Sequence, residues 1–331
     1  MAAGRTKTVI YAAFAGNLLV ALTKFIAAWW TGSSAMLSEA IHSLVDTSNQ
    51  LVLLYGIRRA DRPPDAAHPL GHGRELYFWS FIVALLMFTL GAGVALYEGV
   101  QHILRPHEIV DPKVNYIVLA ASALFEGATW FIALREFRKA KGELGYYEAV
   151  RRSKDPPSFI VLFEDSAALL GLLIAFIGTF ASVQLAIPEL DGAASIGIAL
   201  VLGITALGLA RESKGLLIGE PASPALRESI AAIARHIPGI ERAQVVFTVH
   251  LAPDQVVAAL SLEFNDKLTT PEIERAIDEL EHAIHQAHPE VIAVFVKPQA
   301  DVLEPRWPAR FPGGRRRLSD LTRGSATSSA R

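Results

Sequence analysis

Six stretches of the chain, roughly 8–30, 34–57, 77–103, 114–134, 158–183 and 191–212, are each long and apolar enough to fill the hydrocarbon core of a bilayer. About 20 predominantly apolar residues are needed per helix. A backbone in lipid has no water to bond, so each run predicts a transmembrane α-helix. The first run is apolar apart from Asn17 and Lys24, and is too long and too polar in its middle for a cleaved signal peptide. Residues 1–7 are too short for an organelle-targeting segment, so a plasma (inner) membrane is the expected location. The expected organisation is a six-helix transmembrane domain over 1–213, a soluble domain over 214–301 and a polar tail over 302–331.

Topology follows from the basic residues of the connections. Arg5, Lys7, Arg58, Arg59, Arg62, Arg74 and the cluster from Arg135 to Lys154 all fall on one side, thirteen positive residues in total. The other side receives only Arg105 and Lys113. Both termini are therefore expected in the cytoplasm. The net charge of −2 gives no basic field for nucleic acid, so no nucleic-acid partner is expected. With no cysteine in the chain, disulfides, thiolate metal sites and cysteine nucleophiles are excluded.

In the soluble part, residues 223–238 have helical spacing behind a Ser223 cap and Pro224. Two apolar runs flank Ala252-Pro253-Asp254-Gln255 and read as a hairpin. A helix is expected over about 270–287 with Thr270 as its cap, followed by a strand in VIAVFVKP. The order α-β-β-α-β implies a small open sheet covered on one face. The tail, with Gly313-Gly314 and Arg315–Arg317, has the composition of a disordered segment.

Charge inside lipid is costly, so it marks where function lies. The second span places Glu39, His42 and Asp46 within a membrane helix. His42 and Asp46 are four apart, on one face and about 6 Å from each other. An imidazole and a carboxylate so spaced can share a divalent cation, whose charge offsets the burial of Asp46. The fifth span begins after Lys154-Asp155-Pro156-Pro157 and carries Glu164-Asp165. If the second and fifth spans pack together, His42, Asp46 and Asp165 supply three corners of a tetrahedral site. Neighbouring helix positions diverge by about 100°. Asp165 is therefore favoured as the ligand, with Glu164 as proton carrier or substitute. Nitrogen and oxygen donors without sulfur suit Zn²⁺, and also Fe²⁺, Mn²⁺ or Co²⁺. The plainer reading is that an intramembrane histidine serves as an interhelical hydrogen-bonder. Glu98 and Glu126 are read as structural groups of that kind.

Three features together resemble the cation diffusion facilitators, a family of divalent-metal/proton antiporters. They are SEAIHSLVD in the second span, DAAHPLGHGRE in the following loop, and the exit of the sixth span as ARESKGLLIGEPASP into a small α/β domain. The likeness covers about residues 8–300, and EDSAALLG in the fifth span resembles the branch that includes the zinc transporter nine type. The resemblance implies six transmembrane helices and a metallochaperone-like cytoplasmic domain that pairs into a homodimer. It further implies a secondary transporter exporting a metal, here with Zn²⁺ favoured, in exchange for protons. The metal is then cargo, and no tightly bound cofactor is expected. It carries the transport site onto His42, Asp46 and Asp165, while the remaining family position, usually His or Asp, is Val161 here. Asp65, His68 and His72 match a second loop site, although Pro69, Gly71 and Gly73 would also make this a purely structural turn. The family's cytoplasmic histidines do not reappear at matching places, since His250, His282, His285 and His288 lie elsewhere. The cytoplasmic domain is therefore expected to dimerise without the usual metal pair. Two rival readings of the same residues are a membrane-embedded metal-dependent hydrolase and a non-transporting metal sensor or scaffold. No His-Glu-x-x-His run supports the hydrolase.

Overall fold

A computed structural model describes residues 2–142, 145–146, 149 and 153–299, with most side chains from Asn17 onward. The expectation for the tail, residues 302–331, lies outside the described residues. Long helices dominate the first part: α1 (Ala2–Thr31), α2 (Ser34–Ala60), α3 (Arg74–Leu86), α4 (Gly93–Leu104), α5 (Pro112–Lys141), α6 (Pro156–Leu185) and α7 (Glu189–Ile218). A π-helical turn, Met87–Ala92, joins α3 and α4 into one 31-residue rod. Among the described residues, four helices are long and apolar enough to cross a membrane: Arg74–Leu104, Pro112–Lys139, Phe159–Leu185 and Glu189–Ile218. α2 has matching length but carries Glu39, His42 and Asp46 in its middle.

The chain divides into two compact units, one running to Ser223 with Val249–Val256, the other Pro224–Thr248 and the chain from Val257. The first is turned inside out relative to a water-soluble fold. Large apolar side chains such as Leu124, Ile204, Phe131 and Leu200 point outward, as a lipid-facing surface demands. Its interior is lined by small residues, including Ala27, Ala28, Ala35, Ala167, Ala175 and Ala194 around Met36, Ile198 and Leu202. Without a hydrophobic drive between helices in lipid, such residues let backbones close to van der Waals contact. α4 crosses α7 backbone to backbone. A Cβ on Gly99 would lie 2.7 Å from the Gly192 carbonyl oxygen, and one on Gly192 would lie 2.8 Å from that of Gly99.

Helix ends differ from the apolar runs because hydropathy marks only the part in hydrocarbon. α5 continues past 134 through Arg135, Arg138 and Lys139, whose charges favour its C-terminal end. α6 starts at Pro156, where a missing N–H costs nothing. The N-terminus of α2 is held from another helix. Asp191, in the first turn of α7 and fully buried, accepts from the Ser34 and Ala35 amides at 2.6 and 3.1 Å and from the Ser33 hydroxyl at 2.8 Å. Thr179 of α6 donates to the same carboxylate at 3.3 Å.

From Pro224 onward, α8 (Pro224–His236), β1 (Ile240–Ala252), β2 (Gln255–Phe264), α9 (Thr270–Ala287) and β3 (Val291–Pro298) follow the α-β-β-α-β order, with the sheet running β1-β2-β3. The cap of α9 is Thr269 and not Thr270. With Thr269 as cap, Glu272 falls at the third helical position and accepts from the Thr269 amide and hydroxyl, both at 2.7 Å. That reciprocal box fixes the register.

Candidate metal site within the helices

On α2 the expected stripe exists. Glu39 and His42 are fully buried, and His42 Nδ1 lies 3.3 Å from Asp46 Oδ1. Neither ring nitrogen of His42 has an aligned hydrogen-bond partner, and Asp46 Oδ1 and Asp165 Oδ2 also lack one. Unpaired buried donors and acceptors are costly in a helical bundle unless something else binds them. Such acceptors can hold a cation, and a neutral imidazole can add a nitrogen ligand.

Asp46, Glu164 and Asp165 open onto one cavity of about 360 Å³ between α1, α2, α5 and α6. Both members of the Glu164-Asp165 pair reach this wall despite their angular separation, because the cavity is wide enough to be met from either side. Asp46 and Glu164 come within hydrogen-bonding reach of each other. Asn49, one turn along α2 from Asp46, donates through Nδ2 to Glu164 Oε1 and aims it. Thr129 of α5, on the same wall, donates its hydroxyl proton to the Glu126 carbonyl at 2.9 Å. Val161 stands on the same wall, so the fourth family position faces the cavity with a hydrocarbon side chain. His42 is not on that wall, and its link to the site runs through Asp46. The helices therefore bring Asp46, Glu164 and Asp165 to one space and His42 onto Asp46, without drawing His42, Asp46 and Asp165 into a tight triad.

A tight cluster occurs in the α2–α3 loop. Asp65, His68 and His72 present ligand atoms all within 4.8 Å of one another, the one such group of three among the described residues. Asp65 Oδ1 accepts from the amides of His68 at 2.7 Å and Ala67 at 2.9 Å. Those bonds, the His68 amide first, hold its carboxyl below the usual aspartate range. His72 Nε2 is 3.5 Å from Asp65 Oδ2, and its Nδ1 is buried without a partner. The turn and the converging donors coexist, since the bonds that shape the loop also aim the carboxylate.

Two groups were not legible as members of this region. Lys24 is fully buried and pairs with Glu126 at 2.7 Å and Glu39 at 3.2 Å. Asn49 carries no charge to flag it. In the second unit, His282 and His285 on α9 meet the carbonyls of Asp278 and Glu281 one turn back, and His288 meets Ser229.

Residues 10–218 match the cation efflux transmembrane domain. The chain belongs to the cation diffusion facilitator family. It is 33% identical over 265 residues to the "Proton-coupled zinc antiporter SLC30A9, mitochondrial" of Homo sapiens, covering 79% of this chain and 46% of that protein. It is 35% identical over 206 residues to "Metal tolerance protein C4" of Arabidopsis thaliana, covering 61% and 45%. To the "Cation-efflux pump FieF" of Shigella flexneri it is 25% identical over 284 residues, covering 84% and 87%. The chain thus spans about half the length of the first two relatives and most of the third. This family is one of transporters, and the hydrolase alternative falls with that membership.

Proposed function

We propose that this chain is a secondary transporter that exports a divalent metal cation, Zn²⁺ by preference, from the cytoplasm in exchange for protons. The observation that carries the reading is the gathering of Asp46, Glu164 and Asp165 at one cavity between the helices, with a partnerless oxygen on each aspartate and with His42, whose ring nitrogens have no hydrogen bond, set against Asp46. Family membership and a relative named as a proton-coupled zinc antiporter support it. In this reading His42, Asp46 and Asp165 hold the cargo, with Glu164 or water in place of the ligand absent at Val161. Protons that return to Asp46, Glu164 and His42 compete with the metal for the same lone pairs, so exchange follows from ligand chemistry. The loop triad Asp65, His68 and His72 takes a second, weaker cation.

The same reading has six spans, both termini in the cytoplasm, and residency in a prokaryotic plasma (inner) membrane. It divides the chain into a transport domain to residue 213, a cytoplasmic domain of residues 214–301 that pairs two copies into a homodimer, and a tail. The exposed strand edges of a three-stranded sheet support pairing, because an open edge is a liability unless covered.

The test is metal-driven proton movement in sealed vesicles across Zn²⁺, Fe²⁺, Mn²⁺ and Co²⁺. His42→Ala, Asp46→Ala and Asp165→Ala are expected to abolish it, and Glu164→Ala to lower it. Full zinc exchange by both His42→Ala and Asp46→Ala would remove the assignment.

A further inference from the structure

The first unit contains a second cavity, of about 650 Å³, reached from the opposite ends of the same two helices and lined by Phe25, Ala28, Leu37, Glu98 and His102 among others. The two cavities do not meet. On α1 the wall of the first includes Asn17 and Val20, and that of the second starts at Phe25. On α2 the second ends at Leu37 and the first starts at Ser43. In the interval on both helices lie Lys24 and Glu39.

Lys24 is the largest anomaly of this interior. Its ammonium uses all three of its protons, on Glu126 Oε1 at 2.7 Å, Ser43 Oγ at 2.8 Å and Glu39 Oε2 at 3.2 Å. These partners come from α5 and α2, so one ammonium ties three helices together. Two carboxyl groups stand against one ammonium. Each carboxylate gives one oxygen to Lys24 and keeps the other without a partner, at Glu39 Oε1 and Glu126 Oε2. Glu126 also stands on the wall of the first cavity. Gly171 of α6 leaves the room that Glu39 occupies, since a Cβ there would lie 2.1 Å from Glu39 Oε1.

From this placement we infer that Lys24 is a tethered cation closing the passage between the cavities, and that a divalent ion crosses by displacing its ammonium from Glu39 and Glu126. The inference rests on the transport reading. The free oxygens give an arriving ion hard donors before any bond to Lys24 breaks. A monovalent ion brings no more charge than the ammonium it must replace, whereas a divalent ion brings twice as much. The cluster therefore selects by charge, and Lys24 becomes a specificity-determining residue as well as a barrier.

The full chain in proteoliposomes gives the test, with zinc chloride as the probe. In the wild type, Lys24 is expected to resist a membrane-permeant acylating reagent without zinc and to react severalfold faster during zinc exchange, read by peptide mass spectrometry. Lys24→Met is expected to lose zinc-proton coupling and to leak potassium or protons without zinc. Because that variant strands two buried carboxylates, Lys24→Met/Glu39→Gln/Glu126→Gln is measured beside it. A purely structural role predicts that this neutral variant exchanges zinc like the wild type, and that result overturns the inference. So does Lys24 reactivity that zinc exchange leaves unchanged. A wild type that moves no zinc removes the transport reading instead, while leak in Lys24→Met still reports on the barrier.

Discussion

Replacing Asp191 by alanine removes the carboxylate that caps α2 from α7. Two α2 amides, Ser34 at 2.6 Å and Ala35 at 3.1 Å, would then be left in a fully buried setting. The Ser34 hydroxyl can turn to Ser195 Oγ, 2.9 Å away, while the Ser33 hydroxyl keeps the bond it accepts from the Met36 amide and its rotatable proton loses its acceptor. The minimum loss is counted on the two amides. A buried donor left unsatisfied costs about 1–3 kcal/mol, so Asp191→Ala should destabilise the fold by about 2–6 kcal/mol. At the usual scaling for a domain of this size, the melting temperature falls by about 5–20 °C. Asp191→Asn keeps one carbonyl acceptor but loses the charge that suits a helix N-terminus, so it should fall between alanine and wild type. The assay is thermal unfolding of detergent-solubilised full-length protein, scored by loss of the monodisperse peak. An alanine variant that melts with the wild type would refute the reasoning, as would an asparagine variant worse than alanine.

Further outcomes follow from other contacts. Gly99→Ala should cost about 1–3 kcal/mol by overpacking, because the new methyl meets the Gly192 carbonyl and the Ile196 amide, backbone that cannot turn aside, as well as the Ile196 side chain; a thermal shift on the same protein checks it. His68→Ala or Asp65→Asn should remove one weaker class of zinc binding while leaving the first turnover of zinc exchange intact, measured by titration calorimetry and vesicle flux. The Glu272 carboxyl is held below its ordinary value near 4.5 by the Thr269 amide and hydroxyl, amide first. Its stabilisation is thus full above that value and disappears as pH falls through the lower folded value, so Glu272→Gln should flatten the acid limb of unfolding below about pH 4.5. Thr269→Ala should weaken the second unit by about 1 kcal/mol with zinc flux unchanged.

The helices of the first unit were legible because lipid imposes one rule on every spanning backbone, and apolar length records it. Their ends were not, since α5 runs on through Arg135 and Lys139 where hydropathy has already fallen. The π-helical turn at Met87–Ala92 left no mark in composition. The β1–β2 hairpin was readable from Pro253-Asp254, whereas the cap of α9 was misplaced by one residue because Thr269 and Thr270 are adjacent and only the reach of Glu272 separates them. In the helical interior, charge drew attention to His42, Asp46, Glu164 and Asp165. Single residues do not reveal partners, however. Lys24 read as an oddity of an otherwise ordinary span, and Glu126 as a structural acid, until α1, α2 and α5 were seen to share them. Asp191 was equally silent, since its work is done for a helix that starts more than 150 residues earlier in the chain.

The meeting of Gly99 with Gly192 bears on how such a bundle can move. Backbone there lies directly on backbone, with only the Ile103 and Ile196 side chains packed against the crossing. Displacement along that seam would drive carbonyl oxygens into α-carbons, so α4 and α7 must travel as one body. Whatever swing alternates the two sides of the membrane has to take place where longer side chains act as bearings, against the faces of α1, α2 and α5.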